Sequence, residues 1–163
     1  AVAKHYNHTV NLNVHGSAAA SGYNYLDLDP TYKDAWGLPL LRMTYDFNSN
    51  DLRMSKFVTE KAKKIGEAMG GKIVSASPRE GHWDTMKYQT THNVGGAIMG
   101  NDPKTSAVNR YLQSWDVPNV FVVGGSAFPQ NASYNPTGTV GALTYWALDA
   151  IKNKYLKNPG KLI

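Results

Sequence analysis

The stretch VFVVGGSAFPQNASYNPTGTVGALTYWALDAIKNKY, residues 120–155, decides how this chain is read. Its first residues, Val120 to Val123, form a continuous apolar run that predicts a buried strand. Its second half, Thr139 to Leu156, predicts the last helix. Between them lies a polar loop holding Gly124-Gly125-Ser126, Pro129 and Asn135-Pro136-Thr137-Gly138-Thr139. Asn135 precedes a proline and is therefore biased toward an extended backbone. Thr137 and Thr139 offer hydroxyls and unpaired N–H groups at a helix start, where the helix dipole favours negative charge. A loop of this kind, between two apolar elements, suits a flat, polar ligand. Taken separately, N-P-T-G-T also fits a plain turn and helix cap, and Gly124-Gly125-Ser126 fits a tight exit from a strand.

Working outward, HTVNLNVHG (residues 8–16) alternates Val10, Leu12 and Val14 with polar residues and predicts a half-buried strand ended by Gly16. YNYLDLD (residues 23–29) alternates again and is expected to stop at Pro30. Gly37-Leu38-Pro39 predicts a bend before a strand from about Leu41 to Phe47. Asn48-Ser49-Asn50-Asp51 offers helix caps, and Met54, Phe57, Val58, Ile65 and Met69 recur at helical spacing up to Gly70-Gly71. KIVSAS (residues 72–77) reads as a short strand, Pro78 to Thr91 as a loop, and Lys104 to Ser114 as a short helix or a turn-rich crossing. The mixture predicts an α+β (α/β mixed) fold: an antiparallel sheet flanked by helices, with a terminal strand and helix apart from it.

The 163 residues suit one domain or one large piece of a longer protein. The net charge of +5 is spread out, and the densest basic stretch, Lys61 to Lys64, shares its predicted helix with Glu60 and Glu67. That pattern is a solvated helix face rather than a nucleic-acid surface. The absence of cysteine removes disulfides, thiolate metal sites and a thiol nucleophile. No segment reaches the roughly 18 to 20 apolar residues of a membrane span. Ala1-Val2-Ala3-Lys4 is neither a signal peptide nor an initiator methionine, as expected of a processed product or a fragment. His5, His8 and His15 lack carboxylate partners, which disfavours a metal site. Trp36, Trp115 and Trp146 are expected to pack, and His82-Trp83-Asp84 reads as a surface loop whose groups would also suit a sugar.

One further motif carries chemistry. His92 lies in QTTHNVGGAIMG (residues 89–100), where Gly95 and Gly96 allow close backbone approach to a ligand. No strand–GxGxxG–helix fingerprint for a dinucleotide occurs anywhere in the chain.

His92, the strand ending in V-x-G-S-x-x-P, and N-P-T-G-T together resemble the C-terminal segment of the glucose-methanol-choline (GMC) oxidoreductases. These are FAD-dependent alcohol and sugar dehydrogenases or oxidases. The resemblance runs from about His92 to Ile151. Through LDLDPTYKDAWGLPLLRMTYDF (residues 26–47) it extends to the membrane-associated bacterial branch that oxidises gluconate, ketogluconate, sorbitol or fructose. It implies that His92 is the general base and Asn135 the second active-site residue. It also implies that Gly124, Gly125 and Ser126, with Asn135, Pro136, Thr137 and Thr139, line the FAD. Gly124 stands where the family often has Asp, Asn93 where Pro is common, and Gly96 where Thr is frequent, so backbone rather than side-chain contacts are carried over at those positions.

The resemblance implies further that residues 1–118 are the substrate-binding (cap) portion and that 119–163 complete the FAD domain, whose nucleotide-binding part precedes this sequence. It implies a sugar or sugar-acid substrate, the remainder of the flavoprotein, a cytochrome c subunit and a small auxiliary subunit as partners, and a periplasmic, peripherally membrane-associated setting. The isolated piece is expected to be inactive. An oxygen-reducing oxidase of the same family, and a non-catalytic carbohydrate-binding or assembly module, are the alternatives. The residue types fit alcohol oxidation. An imidazole can accept the hydroxyl proton, and an amide can hold the hydroxyl in line without changing charge.

Overall fold

The computed structural model describes residues 2–72, 74–131 and 133–162. In chain order the elements are α1 (Val2–His5) with a 3-10 turn after it, β1 (Tyr25–Lys33), β2 (Pro39–Thr44), α2 (Ser49–Ala68), a 3-10 turn (Gly125–Ala127), α3 (Thr137–Ala150) and a π-helical turn (Ile151–Tyr155). The α+β expectation holds, with helices and a two-stranded antiparallel sheet. The chain forms two compact units, residues 1–16 with 47–81 and residues 17–46 with 82–163.

In the first unit α2 begins where the cap residues predict. Asn48 Oδ1 accepts the Asn50 and Asp51 N–H groups at 2.8 and 2.9 Å, and Asp51 Oδ2 accepts the Asn48 N–H at 3.1 Å. This reciprocal capping box satisfies donors that the first helical turn leaves open. The helix ends as expected at Gly70, whose φ of +84° is left-handed, with Gly71 N–H returning to Gly66 O at 3.0 Å. A side chain at Gly71 would meet Gly66 O at 2.8 Å.

Two expected strands do not form in this unit. Residues 9–15 carry no ladder pairing among the described residues, and Val10, Leu12 and Val14 are exposed. Alternation predicts a pleat only where a second edge exists to pair with it. Residues 72–77 carry no strand among the described positions, and Ile73 lies outside them.

In the second unit β1 and β2 pair in register, Tyr25 with Thr44 and Leu28 with Leu41. The bend between them is organised by Asp34, whose Oδ1 accepts the Trp36 and Leu38 N–H groups at 2.8 and 2.9 Å, while Gly37 takes φ +83°. Pro30 does not stop β1. The register shifts between Leu28 and Lys33, so the residue without an N–H sits in an irregularity instead of the ladder. The alternation is also inverted. Asp27 and Asp29 are half-buried, and Leu26 and Leu28 are exposed. Asp27 reaches across the strands to Arg42 (Nε to Oδ1, 2.8 Å), and Asp29 Oδ1 accepts the Thr31 and Tyr32 N–H groups. Those contacts hold both carboxyls below their usual pKa range, Asp27 through Arg42 and Asp29 through the two N–H groups.

Of the two forms expected for residues 104–114, a short helix or a turn-rich crossing, the structure shows the crossing, and the core of this unit lies in it. Val108 and Leu112 pack with Ala127 of the glycine loop and Ala147 of α3, flanked by Met99, Val122 and Leu143. A second cluster joins Tyr111, Ala150 and Leu162. Asn109 Oδ1 accepts the Tyr111 and Gln113 N–H groups at 2.8 and 3.2 Å, pivoting a turn that leaves Leu112 at φ +60°. The Asn109 and Gln113 side chains then hold the C-terminal segment. Asn109 Nδ2 donates to Leu162 O at 2.7 Å, Gln113 Oε1 accepts the Leu162 N–H at 2.7 Å, and Gln113 Nε2 donates to Gly160 O and Pro118 O.

The strand expected at 120–124 is reduced to one antiparallel bridge, Phe121 to Gln113. Its bonds, Ser114 N–H to Val120 O and Val122 N–H to Leu112 O, use one edge, and Val120 and Val123 stay exposed. The last helix starts at Thr137, two residues before the expected Thr139. Trp146 packs as expected, stacked on Tyr111 with ring centroids 5.9 Å apart, and Trp115 Nε1 donates to Ser106 Oγ. Trp36 does not pack among the described residues; it is 86% exposed.

Candidate functional site

The two motifs found in the sequence lie side by side in the second unit. From Gly95 to Met99 the chain runs along the glycine loop: Gly95 N–H to Gly125 O at 3.4 Å, Ala97 N–H to Ser126 O at 2.8 Å, and Met99 N–H to Ala127 O at 2.8 Å. Met99 and Ala127 reach into the core cluster, so the pair of segments is anchored from below. Two glycines make the approach possible. Gly95 adopts φ +90°, and a Cβ there would stand 3.3 Å from Ala20 Cβ. A Cβ on Gly125 would stand 3.0 Å from Asn93 O, one residue from His92.

A third segment closes the group. Ala20 N–H donates to Pro129 O at 2.9 Å, Asn131 N–H to Ala18 O at 3.4 Å, and Ser17 Oγ to Asn131 O. The small residues Ser17 to Ala20 thus hold the continuation of the glycine loop toward Asn135. Sequence reading offered no signal for this pairing, because alanine and serine carry neither periodicity nor charge.

His92 is half-buried, and its backbone N–H donates to Thr90 Oγ1 at 3.0 Å. Asn135 is exposed and precedes Pro136, the cap residue of α3. No side chain hydrogen-bonds that cap, and Thr137, Gly138 and Thr139 are at the surface. Val140 N–H is the first to return into the helix, to Pro136 O at 2.9 Å. The fold therefore joins the segment after His92 to Gly125, Ser126 and Ala127 by direct backbone bonds. Asn135, Pro136, Thr137 and Thr139 follow that loop along the chain, at the start of α3.

Three observations bear on whether a flat polar group fits here. Gly124 takes φ +116°, and a Cβ there, or separately at Gly138, would meet nothing within 4 Å. The start of α3 presents N–H groups without a side-chain cap. Asn131 Oδ1 is buried without a hydrogen-bond partner among the described residues, so a polar acceptor in the loop is left open. The residues present fit such a group.

Elsewhere, a groove of about 540 Å³ lies between α2 and the segment after it, bordered by Leu52, Lys56, Lys63, Pro78 and Arg79 among others. It contains none of the motif residues, and its exposed, mixed-charge lining brings no reactive pair together. Among the described residues no three His, Asp or Glu side chains gather as a metal set, and no helix is long and apolar enough to cross a membrane.

The chain is 60% identical over its whole length to the gluconate 2-dehydrogenase flavoprotein of Pantoea cypripedii, covering 27% of that protein. It is 35% identical over 81% of its length to the 2-methyl-1,2-propanediol dehydrogenase of Mycolicibacterium austroafricanum, covering 23% of it. It is 32% identical over 90% of its length to the fructose dehydrogenase large subunit of Gluconobacter japonicus, covering 26% of that subunit. The chain thus spans about a quarter of the length of the curated relatives it matches. The family model described as GMC oxidoreductase matches residues 20–144, which include the hairpin, His92, the glycine loop and the start of α3. The chain belongs to the GMC oxidoreductase family.

Proposed function

We propose that this chain is the C-terminal segment of an FAD-dependent dehydrogenase that oxidises an alcohol group of a sugar or sugar acid, of the gluconate or ketogluconate kind. The observation that carries the reading is the backbone pairing of the His92 segment with the Gly124–Ser126 loop, inside the region shared with the family. Residues 1–118 form the substrate-binding portion, and 119–163 complete the FAD domain.

In this reading FAD, when bound, supplies the hydride acceptor. Gly124, Gly125 and Ser126 offer it backbone at close range, and Asn135, Pro136, Thr137 and Thr139 line it at the start of α3. The N–H dipoles there favour negative charge at the edge they face. His92 accepts the proton of the substrate hydroxyl through its imidazole, and Asn135 holds that hydroxyl in line through its amide. Neither step changes the charge on Asn135, which lets one residue serve both the alcohol and the carbonyl product.

The three relatives named above are all dehydrogenases, which supports a partner acceptor over oxygen. One of them is a large subunit, which supports assembly with further chains, here a cytochrome c subunit and a small auxiliary subunit in a periplasmic, membrane-associated complex. The reading is tested by His92→Ala in the full-length flavoprotein, followed by anaerobic reduction of the bound flavin with gluconate. A loss of about 10²- to 10⁴-fold in the reduction rate is expected. A rate equal to that of the wild type would remove His92 from the chemistry. Hydrogen peroxide production in place of dye reduction would move the protein to the oxidases.

A further inference from the structure

The segment 47–81 leaves the second unit after Asp46 and re-enters it at His82. At that crossing a compact cluster is built around one carboxylate. Asp46 Oδ2 lies 2.5 Å from His82 Nδ1, and Asp46 Oδ1 accepts the Trp83 N–H at 2.8 Å. The backbone of Asp46 is itself fixed by one amide: Asn24 Oδ1 accepts its N–H at 2.9 Å, and Asn24 Nδ2 donates to its carbonyl at 3.1 Å. The neighbouring rings, Tyr45 and Trp83, pack edge to face with centroids 5.4 Å apart. Within the first unit, the Arg79 guanidinium lies 5.1 Å from the centre of the Phe47 ring. None of these groups belongs to the flavin-side site described above.

We propose that Asp46 and His82 form a protonation-controlled pin that ties together the two ends of the 47–81 excursion and thereby orders it. Tying the ends of a loop removes conformational freedom that the open loop would keep, so the pin stabilises the whole excursion. The pin is strongest when the imidazole carries its proton, because the bond is then charge-assisted at both ends. Asp46 is the charge that acts on His82 through this bond. Of the other charged groups nearby, Asp84 accepts the Met86 N–H and faces Lys87, and Arg79 lies over Phe47.

The hydrogen bond to Asp46, and then its charge, raise the His82 pKa above the ordinary imidazole value. A folded-state pKa above the unfolded one gives a contribution that is full below the unfolded value, about 6.5, and fades as pH rises through the folded value. The pin therefore holds fully below the unfolded imidazole value and loosens as pH rises through the raised folded one. His82 is 94% exposed at its side chain, so solvent screens the pair and the effect is modest.

The test is amide hydrogen exchange of peptides from residues 47–81 in the full-length flavoprotein, corrected for the intrinsic pH dependence of exchange, between pH 5.5 and 8.5. Wild type should exchange about two- to fivefold faster at the alkaline end. His82→Gln, which keeps a donor but cannot titrate, and Asp46→Asn, which keeps the acceptor for Trp83 N–H, should both flatten the profile. His82→Ala should exchange at the faster, alkaline rate throughout. A flat wild-type profile, or a pH dependence that survives in Asp46→Asn, would overturn the proposal.

Discussion

Residues 99–128 and the hairpin β1–β2 both turn sharply on a short polar side chain, Asn109 in one and Asp34 in the other, yet they bury opposite things. Around Asn109 the chain folds Val108, Leu112 and Ala127 under α3, with Leu112 fully enclosed. Around Asp34 the hairpin turns its carboxylates partly inward and leaves Leu28, Trp36 and Leu41 in solvent. The first region is stabilised by contacts within this chain. The second is held by its turn, its ladder and the Asp27–Arg42 pair, and its large apolar side chains remain largely exposed. A face of that kind is unusual for a surface left permanently in water. The difference marks where this chain buries its own apolar side chains and where it leaves them exposed.

The comparison is broken most directly through Leu112. Leu112→Ala should cost about 2–5 kcal/mol in denaturant unfolding, since a fully buried leucine is replaced by a cavity. Leu41→Ala in the hairpin should cost less than about 0.5 kcal/mol if its exposure persists in the full-length protein. A large loss at Leu41 there would show that the remaining chain covers the hairpin.

A smaller effect separates polar packing in the two regions. Gln113→Ala strands Leu162 N–H and the carbonyls of Gly160 and Pro118, at about 1–3 kcal/mol. Faster exchange of the 160–162 amides should accompany it; unchanged exchange would mean that the C-terminal segment is held by other contacts.

Smallest of all is Asp27→Asn in the hairpin, an exposed pair that melting should register less than either change in the core. Its signature is in the pH dependence. Because Arg42 holds the Asp27 carboxyl below its usual range, its contribution is present above the unfolded carboxylate pKa, about 3.9, and is lost as pH falls through the lower folded value. The variant should lose that acid-side slope. An identical slope in wild type and variant would assign the acid sensitivity to other carboxylates.

Much of this was legible beforehand, for local reasons. The capping box at Asn48 and Asp51, the glycine stop at Gly70 and the bend at Gly37 each depend on residues within one turn of one another. So does the start of α3 after Pro136. The motif residues were legible through resemblance: His92, Gly124 to Ser126, and Asn135 to Thr139 fall inside the region shared with the GMC family. Strands were the weak point. Residues 9–15 and 120–124 have the right patterns, but pairing depends on which edge arrives from elsewhere, and alternation cannot state that. Pro30 shows the reverse case, a residue that forbids a ladder bond yet is accommodated once the register shifts around it.

By itself, then, the sequence determined the caps, the turns, the helical spans and the types of group available for chemistry, because each is set by short-range sterics and hydrogen bonding. Only the tertiary structure decided that Asn93 O would lie against Gly125, that Ser17 to Ala20 would hold the loop leading to Asn135, and that the aspartates of β1 would be less exposed than its leucines. Those outcomes depend on segments far apart in the chain competing for the same partners, and such competition is resolved only when all of them are packed at once.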